Sequence, residues 1–185
     1  LHAALEMNEE LPRFNAYQRK NGLPEFHHGL GLHYGAVTVG NMGTDEKMDY
    51  TVIGDTVNLA SRLQGLTRKY QQPIIISESL QRKIDGILPW RALDTVAVKG
   101  RSEPVRVYTV ARELDAHGRE VWELHNQAMT AYYNRHFTQA IRMLNQALRI
   151  RPEDYAATVI RDRAETFRIQ PPPADWSGVE VMTSK

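Results

Sequence analysis

Asn58 and Arg62 lie four positions apart in the run Gly54-Asp-Thr-Val-Asn-Leu-Ala-Ser-Arg62, a spacing that puts both on one face of a helix. An amide and a guanidinium projecting together from an early helical turn make a donor-rich, positively charged grip. Such a grip suits a phosphate, because arginine offers a planar bidentate fork and the helix N-terminus adds a partial positive charge. The same spacing also describes a solvated helix face with a surface ion pair, and spacing alone leaves both readings open. Leu59, Leu63 and Leu66 point elsewhere, as a buried stripe. His27, His28 and His33 invite a metal reading. On a strand, however, His27 and His33 stand roughly 20 Å apart, too far to share an ion. Asp45, Glu46 and Asp49 read as a solvated loop tip, and Asp55 as a helix N-cap.

The elements that carry these residues follow from periodicity. Residues 1–20 read as a helix that Pro12 should kink or interrupt and Asn21-Gly22 with Pro24 should end. From 26 to 40, Leu30, Leu32 and Tyr34 alternate with Gly29, Gly31 and His33, and Val37 and Val39 follow Gly35. This predicts two strands tightly joined, with glycines where another backbone or a ligand comes close. Residues 48–53 form a short strand that leads into a helix from Asp55 to about Arg68. Ile74-Ile75-Ile76 forms a strand covered on both faces, and Ser77 precedes a short helix at Leu80–Ile84. Val96–Lys99 and Val105–Val110 pair as a hairpin. Beyond residue 112 only helical spacing remains, over 116–134, 137–150 and 153–168, until Pro171-Pro172-Pro173 stops it. Trp176 then reads as an anchor for an extended tail.

Composition narrows the function classes. The chain has 185 residues, 23 Lys plus Arg against 22 Asp plus Glu, and a net charge of +1. That balance gives no support to a nucleic-acid partner bound by bulk charge. No cysteine is present, which removes disulfides, thiolate metal sites and thiol nucleophiles together. No run of about 18 apolar residues occurs, so no membrane contact is expected from this segment, which reads as cytoplasmic whether or not the full-length protein is membrane-tethered. The first residue is Leu, and the chain is expected to begin inside a longer polypeptide.

Thr51-Val-Ile-Gly-Asp-Thr-Val-Asn-Leu-Ala-Ser-Arg62 closely resembles the signature of class III nucleotidyl cyclases. Gly29-Leu-Gly-Leu-His33-Tyr-Gly35, Val39-Gly40-Asn41-Met42-Gly43 and Val98-Lys99-Gly100-Arg101 follow in that family's order and spacing. The resemblance covers residues 1–112 and implies an α+β, ferredoxin-like cyclase core without its N-terminal strands. An all-helical extension follows over 113–185, in which 120–155 is similar to a tetratricopeptide (TPR) hairpin. The implied activity is an adenylate cyclase acting on ATP, with guanylate cyclase and a non-catalytic interaction module as alternatives. By resemblance, Asn58 orients the ribose or bridging oxygen and Arg62 stabilises charge at the attacked phosphorus. Lys99 contacts the terminal phosphates, and Thr51 reads the base and leans towards ATP. The resemblance further implies two divalent metal ions, Mg or Mn, whose aspartate ligands are not in this chain. It also implies a homodimer partner that completes the composite site, with strand exchange as one route to the missing strands. Alone, the chain is expected to be inactive.

Overall fold

A computed structural model describes residues 1–44, 47–97 and 103–181. The chain divides into two compact units, Leu1–Lys83 and Ile84–Lys185.

The first unit opens with α1 (His2–Lys20). Of the kink or interruption expected at Pro12, the interruption does not occur, and the helix runs through it. Pro12 is exposed and Asn8, whose carbonyl loses its amide partner, is not buried, so the lost hydrogen bond does not fall in a dry core. Asn21 ends α1, and Gly22, at φ 67°, reverses the chain. The Asn15 amide then clasps the Phe26 backbone, donating to its carbonyl and accepting from its N–H at 2.8 Å each. Next come β1 (Leu30–Leu32), β2 (Thr38–Thr44), β3 (Lys47–Ile53), α2 (Asp55–Tyr70), β4 (Ile74–Ser77) and α3 (Glu78–Ile84).

β1 pairs in parallel with β4, while β2 pairs antiparallel with β3. The two strands expected to be tightly joined therefore enter different ladders, and residues 33–37 turn the chain between them. The side chains of Ile74, Ile75, Ile76 and Ser77 are all buried, as predicted for a strand covered on both faces. Many apolar side chains stay exposed in this unit, among them Phe14, Tyr17, Val39, Tyr50, Val52 and Ile53. Val39 and Val52 are direct cross-strand partners, so one hairpin face presents apolar surface.

The second unit contains β5 (Trp90–Ala97), β6 (Val105–Val110), α4 (Ala116–Tyr133), α5 (Phe137–Ile150), α6 (Tyr155–Ile169) and β7 (Val179–Val181). β5 and β6 form an antiparallel pair whose register shifts between Ala92 and Asp94. Small residues let the helices approach closely: Ala128, Ala140, Ala157 and Ala164 are all fully buried. Trp176 packs edge-on against Tyr132, Phe137 and Phe167, with centroids 5.3–5.9 Å apart, so the predicted anchor is present. The tail, expected only as extended chain, adds in parallel to β5 at Thr95–Ala97 as β7. Three residues carry too little alternation to announce a strand. Among the described residues no helix is long and apolar enough to cross a membrane.

Candidate functional site

α2 carries Asn58 and Arg62, and the surrounding chain fixes its position closely. A Cβ on Gly31 would overlap the Gln64 amide nitrogen and the Ala60 carbonyl oxygen, so β1 lies backbone to backbone against α2. At Gly29 the same test meets the Thr67 hydroxyl. From the helix's first turn, Thr56 donates to the Ala36 carbonyl at 2.6 Å and ties α2 to the 33–37 connection. His33 Nδ1 lies 2.7 Å from Ser77 Oγ and 3.1 Å from Ser79 Oγ, and Ser79 donates to the Tyr34 carbonyl at 2.7 Å. His33 thus serves this hydroxyl network. Thr56, Ser77 and Ser79 have no sequence signal of such a role, because their partners lie 20 to 46 positions away.

The cap of α2 differs from expectation. Gly54 is the N-cap, at φ 139°, and Asp55 is the first helical residue. That backbone angle favours glycine, and Asp55 contributes its charge to the first turn instead. Leu59 and Leu63 are fully buried, with Thr67 and Tyr70 continuing the stripe, while Leu66 is only half-buried. With that stripe in the core, Asn58 faces outward and Arg62 lies at the stripe's margin.

Asn58 is exposed and Arg62 half-buried. Arg62 Nη1 is buried without a hydrogen-bond partner among the described residues. Among the described residues, no surface ion pair engages this nitrogen. An unsatisfied buried guanidinium nitrogen costs stability and is the group an incoming anionic oxygen would satisfy. Thr51 is exposed on β3, opposite Gly40. A Cβ at Gly40 would meet nothing within 4 Å, so the strand face beside Thr51 is open. Lys99 lies outside the described residues, as do Asp45 and Glu46. The cleft of about 560 Å³ lined by Trp90, Trp122 and Asn126 belongs to the second unit and includes none of these side chains.

Among the described residues no three His, Asp or Glu side chains come together to hold a metal ion. Asp49 and Asp55 are both exposed. Among the described residues, these two exposed carboxylates share no third ligand that would hold an ion.

Gly31→Ala tests the backbone contact. The clash is with main-chain atoms that cannot rotate aside, so the expected loss is about 1–3 kcal/mol in urea denaturation. Gly40→Ala, whose Cβ enters open space, should change stability by less than about 0.5 kcal/mol. Equal effects of the two would show that β1 does not fix α2.

Comparison with known proteins places these residues in a wider context. The family model described as adenylate and guanylate cyclase catalytic domain matches residues 1–112. Adenylate cyclase 1 of Rhizobium meliloti (strain 1021) is 40% identical over 107 residues, covering 58% of this chain and 16% of that protein. Adenylate cyclase of Anabaena cylindrica is 41% identical over 117 residues, covering 60% of this chain and 23% of its own length. The crystal structure of the adenylyl cyclase CyaB from P. aeruginosa superposes with a TM-score of 0.53 at 34% identity. It covers 59% of this chain and 55% of that one. The chain thus spans less than a quarter of either sequence relative.

Proposed function

Since the chain belongs to the adenylate and guanylate cyclase catalytic-domain family, we propose that it serves an adenylate cyclase, converting ATP to 3′,5′-cyclic AMP and pyrophosphate for intracellular signalling. The observation that carries this reading is the unpartnered, buried Arg62 Nη1 on the helix that also carries Asn58. In the reaction the ribose 3′-oxygen bonds to the α-phosphorus, the bond from that phosphorus to the pyrophosphate oxygen breaks, and the 3′-hydroxyl proton is lost. Negative charge builds on the phosphoryl oxygens as this happens. Fixed donors aimed at that charge in a desolvated site stabilise the transition state more than the ground state. Arg62 meets the phosphoryl oxygens, Asn58 orients the ribose or bridging oxygen, and Lys99 holds the terminal phosphates.

Thr51 supports ATP: its hydroxyl can accept a hydrogen bond from the adenine amino group. The second reading, guanylate cyclase, has support in the family's own description, which covers both nucleotides. In this proposal the cyclase part is 1–112, and 113–185 is a TPR-like helical extension. The complete enzyme would take two divalent ions, Mg or Mn, whose ligands are not in this chain. A homodimer partner brings their ligands to the half-site on this chain, which supplies the transition-state and base-reading groups.

The test is cyclic nucleotide formation from ATP and from GTP with Mg or Mn. The full-length protein should yield cyclic AMP, and the purified 185-residue chain no product. Cyclic GMP as the main product would assign the guanylate reading. Product from the 185-residue chain alone would overturn the half-site, and an inert full-length protein would leave only a binding role.

A further inference from the structure

We propose that Thr56 is a positioning residue of this site: its hydroxyl holds α2 at the height and rotation at which Arg62 reaches the phosphoryl oxygens. The inference rests on the cyclase reading above, and every residue it uses lies in the first unit.

The glycine-rich segment that precedes β2 holds α2 along one stripe. A Cβ at Gly29 would meet Thr67, at Gly31 the backbone of Ala60 and Gln64, and at Gly35 the Thr56 side chain. Segment and helix thus run antiparallel. Thr56, Ala60, Gln64 and Thr67, at i, i+4, i+8 and i+11, follow one side of α2. At about 100° per residue, Asn58 and Arg62 project roughly 180° away from that side. The segment therefore grips the back of the helix and acts on the donor face only through it.

Contact at a glycine limits how closely a helix approaches, but it has no direction and permits sliding. A hydrogen bond is directional, and the Thr56 hydroxyl supplies one, donating to the Ala36 carbonyl at 2.6 Å, 20 positions away. It acts at the end of α2 that needs it. Gly54, the N-cap, has no side chain to tie the helix start, and Asn58 stands two residues beyond Thr56. The accepting segment is itself held. Ser79 donates to the Tyr34 carbonyl at 2.7 Å, and the His33 ring, which also borders Gly35, lies 2.7 Å from Ser77 Oγ. A threonine that served only its own helix would bond back within it, as Thr67 does to the Gln64 carbonyl at 2.7 Å. Thr56 instead bonds outward, to the segment that sets the helix's register.

Arg62 acts where charge develops in the transition state, so its placement bears on kcat more than on nucleotide affinity. A displacement of about 1 Å at such a group can cost on the order of 100-fold. Thr56→Val keeps the branched shape and removes the hydroxyl. In the full-length protein it should lower kcat for cyclic nucleotide formation about tenfold or more, with KM within about twofold. Thr56→Ser, which retains the hydroxyl, should restore most of the turnover. Gly35→Ala, whose Cβ would crowd Thr56, should lower kcat severalfold in the same selective way. A second arm separates positioning from folding. In an Arg62→Ala background, Thr56→Val should cost no more than about threefold, because the group it places is gone. A loss of folded protein would lower turnover by the same factor in both backgrounds. That equal factor, or parent-like kcat in both Thr56→Val and Gly35→Ala, would overturn the positioning role and leave the cyclase reading intact. A full-length parent inactive on ATP and GTP would overturn both.

Discussion

Arg62→Ala in the full-length protein lowers cyclic nucleotide turnover by about 100- to 1000-fold, roughly 2.7–4 kcal/mol of transition-state stabilisation, with little change in nucleotide KM. The reason lies in where the charge appears. The α-phosphoryl oxygens become more negative only as the 3′-oxygen attacks, so a donor placed there acts mainly on the transition state. Arg62→Lys keeps the charge but loses the planar fork, and its turnover should fall between the two. The resting protein supplies a second readout that separates function from structure. Because Nη1 is buried with no partner among the described residues, Arg62 should cost the fold stability until an anion binds. Arg62→Met should therefore leave denaturant stability of the 185-residue chain equal or higher while abolishing most turnover in the full-length protein. A large loss of stability in Arg62→Met would make the residue structural, and parent-like turnover in Arg62→Ala would remove it from the reaction.

Much of the scaffold around this residue could be read from local pattern, and its failures share a cause. The stripe of Leu59 and Leu63 faces the core while Asn58 and Arg62 share the neighbouring face of α2, and the Gly29–Gly31 alternation correctly signals a close approach. What local pattern could not supply was the identity of the approaching backbone, α2 itself, some 30 positions onward. The helix starts one residue from where side chains alone suggest, because Asp55 has a good capping side chain while Gly54 has the backbone angle. Pro12 misled in a similar way: its intrinsic penalty is real, but packing of Ala4, Leu5, Asn15 and Gln18 on both sides carries the helix through. The second unit was hardest to read. Its helices were recognisable from spacing, yet nothing in the sequence pairs Arg91 with Asp154, 63 positions away, or Asp94 with Arg163, 69 positions away. Charged residues on a strand read as solvent-facing, and only the fold shows that these two point into helices.

The buried polar layer of the second unit gives the other large expected effect. Asp154→Ala should destabilise this unit by about 3–5 kcal/mol, the cost of leaving a buried charge unpaired, plus about 1 kcal/mol for a lost helix cap. Arg91 is 2% exposed and bonds Asp154 at 2.5 Å. Asp154 also accepts from the Ala157 N–H at 3.0 Å as the N-cap of α6. Arg91→Met together with Asp154→Ser keeps a capping oxygen and removes both charges, so the pair should recover most of the loss. Acid adds a graded version of the same experiment. His125, fully buried beside this pair, has its pKa pushed down to about 3, first by burial and then by the Arg91 charge. The unfolded chain, with His125 near 6.5, binds more protons than the folded one between those values. Stability is thus complete above about pH 6.5 and falls by up to about 1.4 kcal/mol per pH unit below it. Burial raises the Asp154 pKa, but the Arg91 charge and hydrogen bond outweigh that and hold it below its usual 3.8. Its contribution is accordingly lost only at lower pH, as the carboxylate protonates. Trp90, Trp122 and Trp176 all lie in this unit, and the chain has 3 tryptophans in total, so their fluorescence reports its unfolding directly. His125→Leu should abolish the decline between about pH 6.5 and 4 and leave the acid limb of Asp154 in place. Identical pH profiles for His125→Leu and the parent would show that His125 is not held neutral by this layer.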